Sequence, residues 1–185
     1  LSNTAHPCQA LGDCLTIFEQ KGTLKGLSLA FVGDGNNIAG SLALACAYSG
    51  MDFRIASPEK YQLKPEIWNE ANKLANSNNT KMKWSSNIQE IVCDADIVYT
   101  DVWISMGDEE EKEERLSTFS SYQVNEKVIS YAKSDCLFMH DMPAHRGEEI
   151  SENMLNHPNS VVYQQAENRL HAQKAVIRNI FESNH

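Results

Sequence analysis

The sequence predicts an α/β domain, a doubly wound Rossmann-like fold with a mainly parallel five-stranded sheet and helices on both faces. Two observations carry that expectation. Short β-rich runs alternate with longer segments of helical period, which is the pattern of strands joined by crossover helices. The chain has 185 residues and 42% hydrophobic content, enough to bury one substantial core as a single domain.

In chain order, a leading helix is expected near Gln9 to Gln20, behind His6-Pro7, where proline keeps the preceding residue extended. Strand Ser28 to Val32 then runs into a glycine turn and a helix near Ile38 to Ser49. Strand Asp52 to Ala56, a helix near Pro65 to Asn76, strand Lys81 to Trp84 and a helix near Asn87 to Cys93 follow. Strand Ile97 to Thr100 precedes an acidic run, Asp108 to Arg115, read as a solvated helical face whose acids precede its arginine in the sense the helix dipole favours. A helix near Asn125 to Ala132 leads to strand Leu137 to His140. Val161 to Tyr163 is a weaker strand candidate, and a closing helix runs near Gln165 to Phe181.

The formal net charge of -9 argues against a nucleic-acid or membrane surface, because phosphate binding needs clustered Lys and Arg. Cys8, Cys14, Cys46, Cys93 and Cys136 are scattered without a C-x-x-C pair. They fit buried thiols in a reducing compartment, cytoplasmic or an organelle matrix, better than a disulfide frame or a zinc site. No apolar run approaches membrane-spanning length, and the first residues lack a secretory signal. A start at Leu1 is read as that of an excised piece of a longer protein.

The most informative stretch is Asp101-Val102-Trp103-Ile104-Ser105-Met106-Gly107. It places a carboxylate, a hydroxyl and exposed peptide N–H groups just past a buried strand. Such a set suits a small ligand with both an ammonium and a carboxylate; the plain alternative is a capped strand-to-helix turn. Gly33-x-Gly35 invites a dinucleotide reading, but Ile38 stands where the third glycine belongs, and Ala56-Ser57-Pro58 supplies no acid for a ribose. What remains is a turn exposing Asn36 and Asn37. His6 is expected to point outward from a helix start, with Gln9 three residues on near the same face. Arg169 is placed near the opening of the last helix, where backbone N–H groups and a guanidinium both favour an anion. For each of these, a structural histidine, turn asparagines and a surface ion pair to Glu167 are the ordinary readings.

Taken together, His6-Pro7-Cys8-Gln9, Gly33-Asp34-Gly35-Asn36-Asn37, Asp101 to Gly107 and Ala166-Glu167-Asn168-Arg169 resemble the carboxyl-terminal half of ornithine carbamoyltransferase. The resemblance runs the whole chain, through connecting text such as Gln123-Val124 and Pro143-Ala144-His145-Arg146-Gly147-Glu148-Glu149. It implies that residues 1–185 are an ornithine-binding domain, serving transfer of a carbamoyl group from carbamoyl phosphate to the δ-amine of L-ornithine. By resemblance His6 and Gln9 grip the carbamoyl group, Arg169 stabilises its oxyanion, Asn37 meets the α-carboxylate, and Asp101, Ser105 and Met106 hold the amino-acid end. No metal or organic cofactor is implied, and the region from Asp108 to Arg115 becomes a loop closing over the substrate.

Two departures stand out. His140-Asp141-Met142-Pro143 replaces the family's usual His-Cys-Leu-Pro, putting a carboxylate where a thiol touches both substrates: either Asp141 faces the δ-ammonium, accepting its proton or orienting it, or it turns away and only the backbone carbonyls at Asp141 and Met142 serve the ligand. The family's Ser-Thr-Arg-Thr phosphate loop belongs to an amino-terminal domain that this sequence does not contain. The expected partners are therefore that domain of the same enzyme and, at full length, two further copies in a homotrimer. Alternatives are another amine acceptor, suggested by Asp141, or a non-catalytic amino-acid-binding module.

Overall fold

The computed structural model describes residues 2, 4–105 and 109–183. Five strands, β1 (Ser28–Val32), β2 (Asp52–Ala56), β3 (Met82–Ser85), β4 (Ile97–Thr100) and β5 (Leu137–His140), form one sheet. All pairings are parallel, in the order β3-β2-β1-β4-β5. Four strands fall where the sequence places them, and β3 opens one residue late.

Around the sheet lie α1 (Pro7–Lys21), α2 (Asn37–Ser49), α3 (Pro65–Ser77), α4 (Ile88–Val92), α5 (Lys112–Phe119), α6 (Glu126–Ile129) and α7 (Val162–Ser183). Local chemistry sets their ends. Pro7 opens α1, where its missing N–H costs nothing, and Gly22, at φ 73°, closes it with an N–H bond to Phe18 O. The Asn36 side chain caps α2 by accepting from Ile38 N and Ala39 N, satisfying donors that have no partner inside the helix.

Alternate strand residues face opposite layers, as the pleat demands. Leu29, Phe31, Phe53, Ile55, Ile97, Tyr99, Leu137 and Met139 pack with Ile17 of α1, Leu42 of α2 and Ala71 of α3. Ala30, Val32, Val98 and Phe138 face Ile91 of α4, Phe119 of α5 and Val128 of α6. The doubly wound expectation is met.

Three local expectations are corrected. Val161 to Tyr163 is no strand: only Ser160 bridges Phe138, and Val162 already opens α7. The acidic run is not merely a solvated face, because Arg115 is buried and its Nη1 donates to Asp34 Oδ2 at 2.7 Å and to Trp103 O at 3.0 Å. Its guanidinium also lies 4.9 Å from the Tyr61 ring centroid. Nor are all the cysteines buried, since Cys93 is exposed. Among the described residues no helix is long and apolar enough to cross a membrane.

Candidate functional site

Strand order reverses at the centre of the sheet, between β1 and β4, so the crevice for a ligand opens at the carboxyl ends of the strands. The segments after β1, β4 and β5 meet there. Because Thr100 and His140 are partners in parallel register, the next residues, Asp101 and Asp141, come side by side. Thr100 Oγ1 donates to Val32 O at 2.7 Å, tying the end of β4 to that of β1.

Asp101 is buried and already engaged: Oδ2 accepts from Asn36 Nδ2 at 2.6 Å and Oδ1 from Val102 N at 2.6 Å. Asn36 therefore does two things, capping α2 with its oxygen and holding Asp101 with its nitrogen. The neighbouring Asn37 spends its Nδ2 on Ser2 O at 2.8 Å. Gly35 explains why the glycine turn is not a pyrophosphate cradle. A Cβ there would lie 2.4 Å from Gln62 C and Leu63 N, so the chain's own backbone fills the space a cofactor would need.

Beyond β5 the chain turns sharply through Met142, at φ 57°, and a cis Met142–Pro143 bond. His140 is buried and organises this turn. Its Nδ1 accepts from Met142 N at 2.9 Å, and its Nε2 faces Glu149 Oε1 at 3.1 Å, so the ring proton belongs on Nε2. The 3.5 Å approach of Asp141 Oδ1 to Nδ1 is for that reason no ion pair. Potential ligand atoms of Asp101, His140 and Asp141 lie within 4.8 Å of one another, as do those of His145, Glu148 and Glu149. Both His140 nitrogens are occupied, which removes that residue from the first triad; in the second, Glu149 Oε1 serves His140 and His145 N while Oε2 has no hydrogen-bond partner.

Burial, followed by the neighbouring Asp101 charge, drives the Asp141 carboxyl far above the ordinary carboxylate range. Two adjacent acids in a desolvated crevice cannot both ionise cheaply. Asp141 therefore keeps its proton at neutral pH.

His6 does not project outward. It is buried at the start of α1, its backbone N–H donates to Ser41 Oγ at 2.8 Å, and burial followed by the Arg169 charge lowers its pKa. Gln9 is buried one turn on and gives its Nε2 to Asp13 Oδ1 at 2.8 Å. Arg169 stands seven residues into α7, about 10 Å from the helix start. It therefore lies beyond the first turn, where terminal N–H groups and the helix dipole act. Arg169 is instead set by close packing: a Cβ on Gly12 of α1 would lie 3.3 Å from Arg169 Cα. Among the described residues it makes no ion pair with Glu167, whose carboxylate instead lies 3.9 Å from the His171 ring.

Three buried polar atoms at this crevice, His6 Nδ1, Gln9 Oε1 and Asp141 Oδ1, have no hydrogen-bond partner. Buried polar groups are almost always paired, so each is a place where a ligand could supply the missing partner; Tyr61 Oη, Trp103 Nε1, Glu149 Oε2 and Ser160 Oγ are unpartnered too. Ser105 is half-buried just past the Trp103 turn; Met106 and Gly107 lie outside the described residues. Sequence reasoning missed Asp13, Gln165, Glu149 and the ring of His140, and credited Asn36 only with a turn. Only Gly35-Asn36 carried a readable signal, as a helix cap.

Fold and crevice define an α/β domain with a polar crevice at the carboxyl ends of its strands. Residues 25–180 match the family model for the aspartate/ornithine carbamoyltransferase, Asp/Orn binding domain. Ornithine carbamoyltransferase of Methanosphaera stadtmanae is 47% identical over 182 residues, covering 98% of this chain and 60% of that protein. The anabolic enzyme of Pyrococcus furiosus is 49% identical over 177 residues, 96% of this chain and 56% of its own length. Among solved structures, ornithine carbamoyltransferase from Pyrococcus furiosus superposes with a TM-score of 0.91 at 48% identity, covering 96% of this chain and 56% of that one. The anabolic enzyme from Campylobacter jejuni gives 0.92 at 36% identity, covering 99% and 61%. The chain belongs to the aspartate/ornithine carbamoyltransferase family. It spans rather more than half the length of these relatives.

Proposed function

We propose that this chain is the acceptor-binding half of an ornithine carbamoyltransferase. The observation that carries the reading is the cluster of orphaned buried atoms, His6 Nδ1, Gln9 Oε1 and Asp141 Oδ1, beside the Asp101 carboxylate. Asp101 takes the α-ammonium of ornithine, Asn37 its carboxylate, and Ser105 and Met106 the rest of the amino-acid end. His6 and Gln9 hold the carbamoyl group, and Arg169 neutralises its carbonyl oxygen as charge develops there.

The δ-nitrogen attacks the carbonyl carbon. A C–N bond forms, the bond from carbon to the phosphate oxygen breaks, and the nitrogen sheds a proton, giving L-citrulline and phosphate. Asp141 and the main-chain carbonyls at Asp141 and Met142 face that nitrogen. Positioning and oxyanion stabilisation account for the acceleration without a cofactor. The phosphate end of carbamoyl phosphate is left to an amino-terminal domain of the same enzyme and to neighbouring subunits of a homotrimer. The five free thiols fit a reducing compartment, the cytoplasm or an organelle matrix.

One observation favours a second acceptor: the acid pair Asp101 and Asp141 suits a ligand with two cationic ends. An enzyme joining this chain to a carbamoyl-phosphate domain should therefore be assayed with ornithine, lysine, N-acetylornithine and putrescine. Ornithine is expected to give the highest kcat/KM. A preference for putrescine, which has no carboxylate, would remove Asn37 and Ser105 from the site and replace the substrate.

A further inference from the structure

Asp13 is buried in α1 beneath the crevice, and three donors converge on it: Gln9 Nε2 at 2.8 Å and Gln165 Nε2 at 2.7 Å on Oδ1, and the Tyr99 hydroxyl at 3.1 Å on Oδ2. The polarity of this network is fixed from one end by the main chain. His140 N can only donate, and it donates to Gln165 Oε1 at 2.9 Å. Gln165 must then present its nitrogen to Asp13 and to Tyr99 Oη, the latter at 3.0 Å. Tyr99 receives that bond and passes its own proton toward Asp13. Every neighbour is thus a donor, so Asp13 is required as an acceptor on both oxygens, which is what an ionised carboxylate offers. Gln9 is committed by the same logic. Its nitrogen belongs to Asp13, and its oxygen is the buried atom left without a partner.

We propose that Asp13 is a positioning residue: its carboxylate holds the Gln9 amide by nitrogen, so that Gln9 offers a ligand only an acceptor, and binds that amide through Gln165 to the main chain at His140. The inference rests on the carbamoyltransferase reading and deepens it. An acceptor at Gln9 Oε1 matches the NH2 of a carbamoyl group and would repel a carbonyl or carboxylate oxygen. If Asp13 takes up a proton it gains a donor, and Gln9 is free to turn over and present nitrogen instead.

Burial pushes the Asp13 carboxyl up to about 7, against its three donors and the Arg169 charge. The charged groups and titratable groups around it are Arg169 on α7, Tyr99 on β4, Cys14 on α1, Cys46 on α2 and Asp141 beyond β5. The orientation of Gln9 is therefore poised to respond near neutral pH.

The test has two arms. With the chain labelled at glutamine side-chain nitrogen, the Gln9 NH2 resonance should shift with a midpoint near 7. Tyr99→Phe, which removes one donor from the anion, should move that midpoint upward, and Asp13→Asn should abolish it. In an enzyme that joins this chain to a carbamoyl-phosphate domain, Asp13→Asn should raise KM for carbamoyl phosphate about tenfold, the scale of one misdirected hydrogen bond. The KM for ornithine should stay within about twofold. A Gln9 signal that is flat from acid to alkaline pH, or that titrates unchanged in both variants, overturns the proposal, as do equal rises in the two KM values. Tyr99→Phe keeps the test alive if Asp13→Asn does not fold. Absence of citrulline formation with an intact Gln9 titration would instead refute the substrate reading and leave the network standing.

Discussion

Replacing Asp141 with asparagine should stabilise the protein at neutral pH, and the gain should disappear in acid. The carboxylates of Asp101 and Asp141 present oxygens within 4.8 Å of each other. At an effective dielectric of about 20, two unit charges at that separation repel by about 3.5 kcal/mol, which is roughly 2.5 pKa units. Burial, the larger cause, raises the Asp141 carboxyl further. In the unfolded chain the same group titrates near 3.9. Between the two values the native state binds more protons than the unfolded one, so stability is fully present in acid and falls as pH rises, by about 1.4 kcal/mol per pH unit, until the folded carboxyl ionises. Asparagine has no such loss. The difference between variant and wild type should therefore open from its value near pH 4 by roughly 4 to 5 kcal/mol by about pH 7.5.

Urea unfolding followed by the fluorescence of Trp68, Trp84 and Trp103 at about pH 4.5, 6 and 7.5 reads this difference directly. Asp13, also raised, acts in both proteins, and because its charge is one cause of the Asp141 shift the subtraction reads Asp141 together with its interaction with Asp13. Two stability curves that stay parallel across the range would refute the account of a retained proton. Ornithine gives a second check. Its ammonium groups compensate the pair, so it should raise the urea midpoint of the wild type more at about pH 7.5 than that of Asp141→Asn.

Asp101→Asn in an enzyme joining this chain to a carbamoyl-phosphate domain should lower kcat/KM for ornithine by roughly 2 kcal/mol in transition-state terms, and unchanged ornithine kinetics would remove Asp101 from the site. Asn36→Ala removes both a helix cap and a donor to Asp101; it should cost about 1 to 2 kcal/mol in urea unfolding. Gly35→Ala forces a Cβ to within 2.4 Å of backbone at Gln62 and should lower stability by more than about 2 kcal/mol, visible as a lower Tm. The chain alone should form no citrulline from ornithine and carbamoyl phosphate, and turnover at the rate of a full enzyme would show that the phosphate-binding half is dispensable.

The sheet was legible because burial on both faces leaves a plain mark: β1, β4 and β5 are buried, mainly apolar runs closed by turn residues, while β2 shows the alternation of a strand with Asp52 and Arg54 only half-buried. The end of the chain was not, because Val161 and Val162 look alike by composition. What separates them is tertiary. Ser160 bridges Phe138 through bonds from Phe138 N to Asn159 O and from Val161 N to Phe138 O, and α7 starts at the next residue. Asp13 and Gln165 were invisible for a related reason. Each lies inside a helical period, where a lone polar residue reads as solvent-facing. Only the crossing of α7 over α1, made close by Gly12, shows that both point into one buried network.

The same distinction governs Asp141. In sequence it is a single departure beside a histidine, and its consequence for the site depends on a residue forty positions earlier. Parallel register supplies the connection: with Thr100 paired to His140, any side chain after β5 is delivered beside Asp101. A thiol delivered there would be neutral at no cost, whereas a carboxyl must keep a proton or meet a cation. A carboxyl at position 141 is thus stable only in company, with a proton or, on the proposed reading of the site, with the acceptor's ammonium. Exchange of the first for the second ties acceptor binding to proton release, and with Asp141→Cys that linkage should vanish while the fold, whose register does not depend on the side chain, stays as it is.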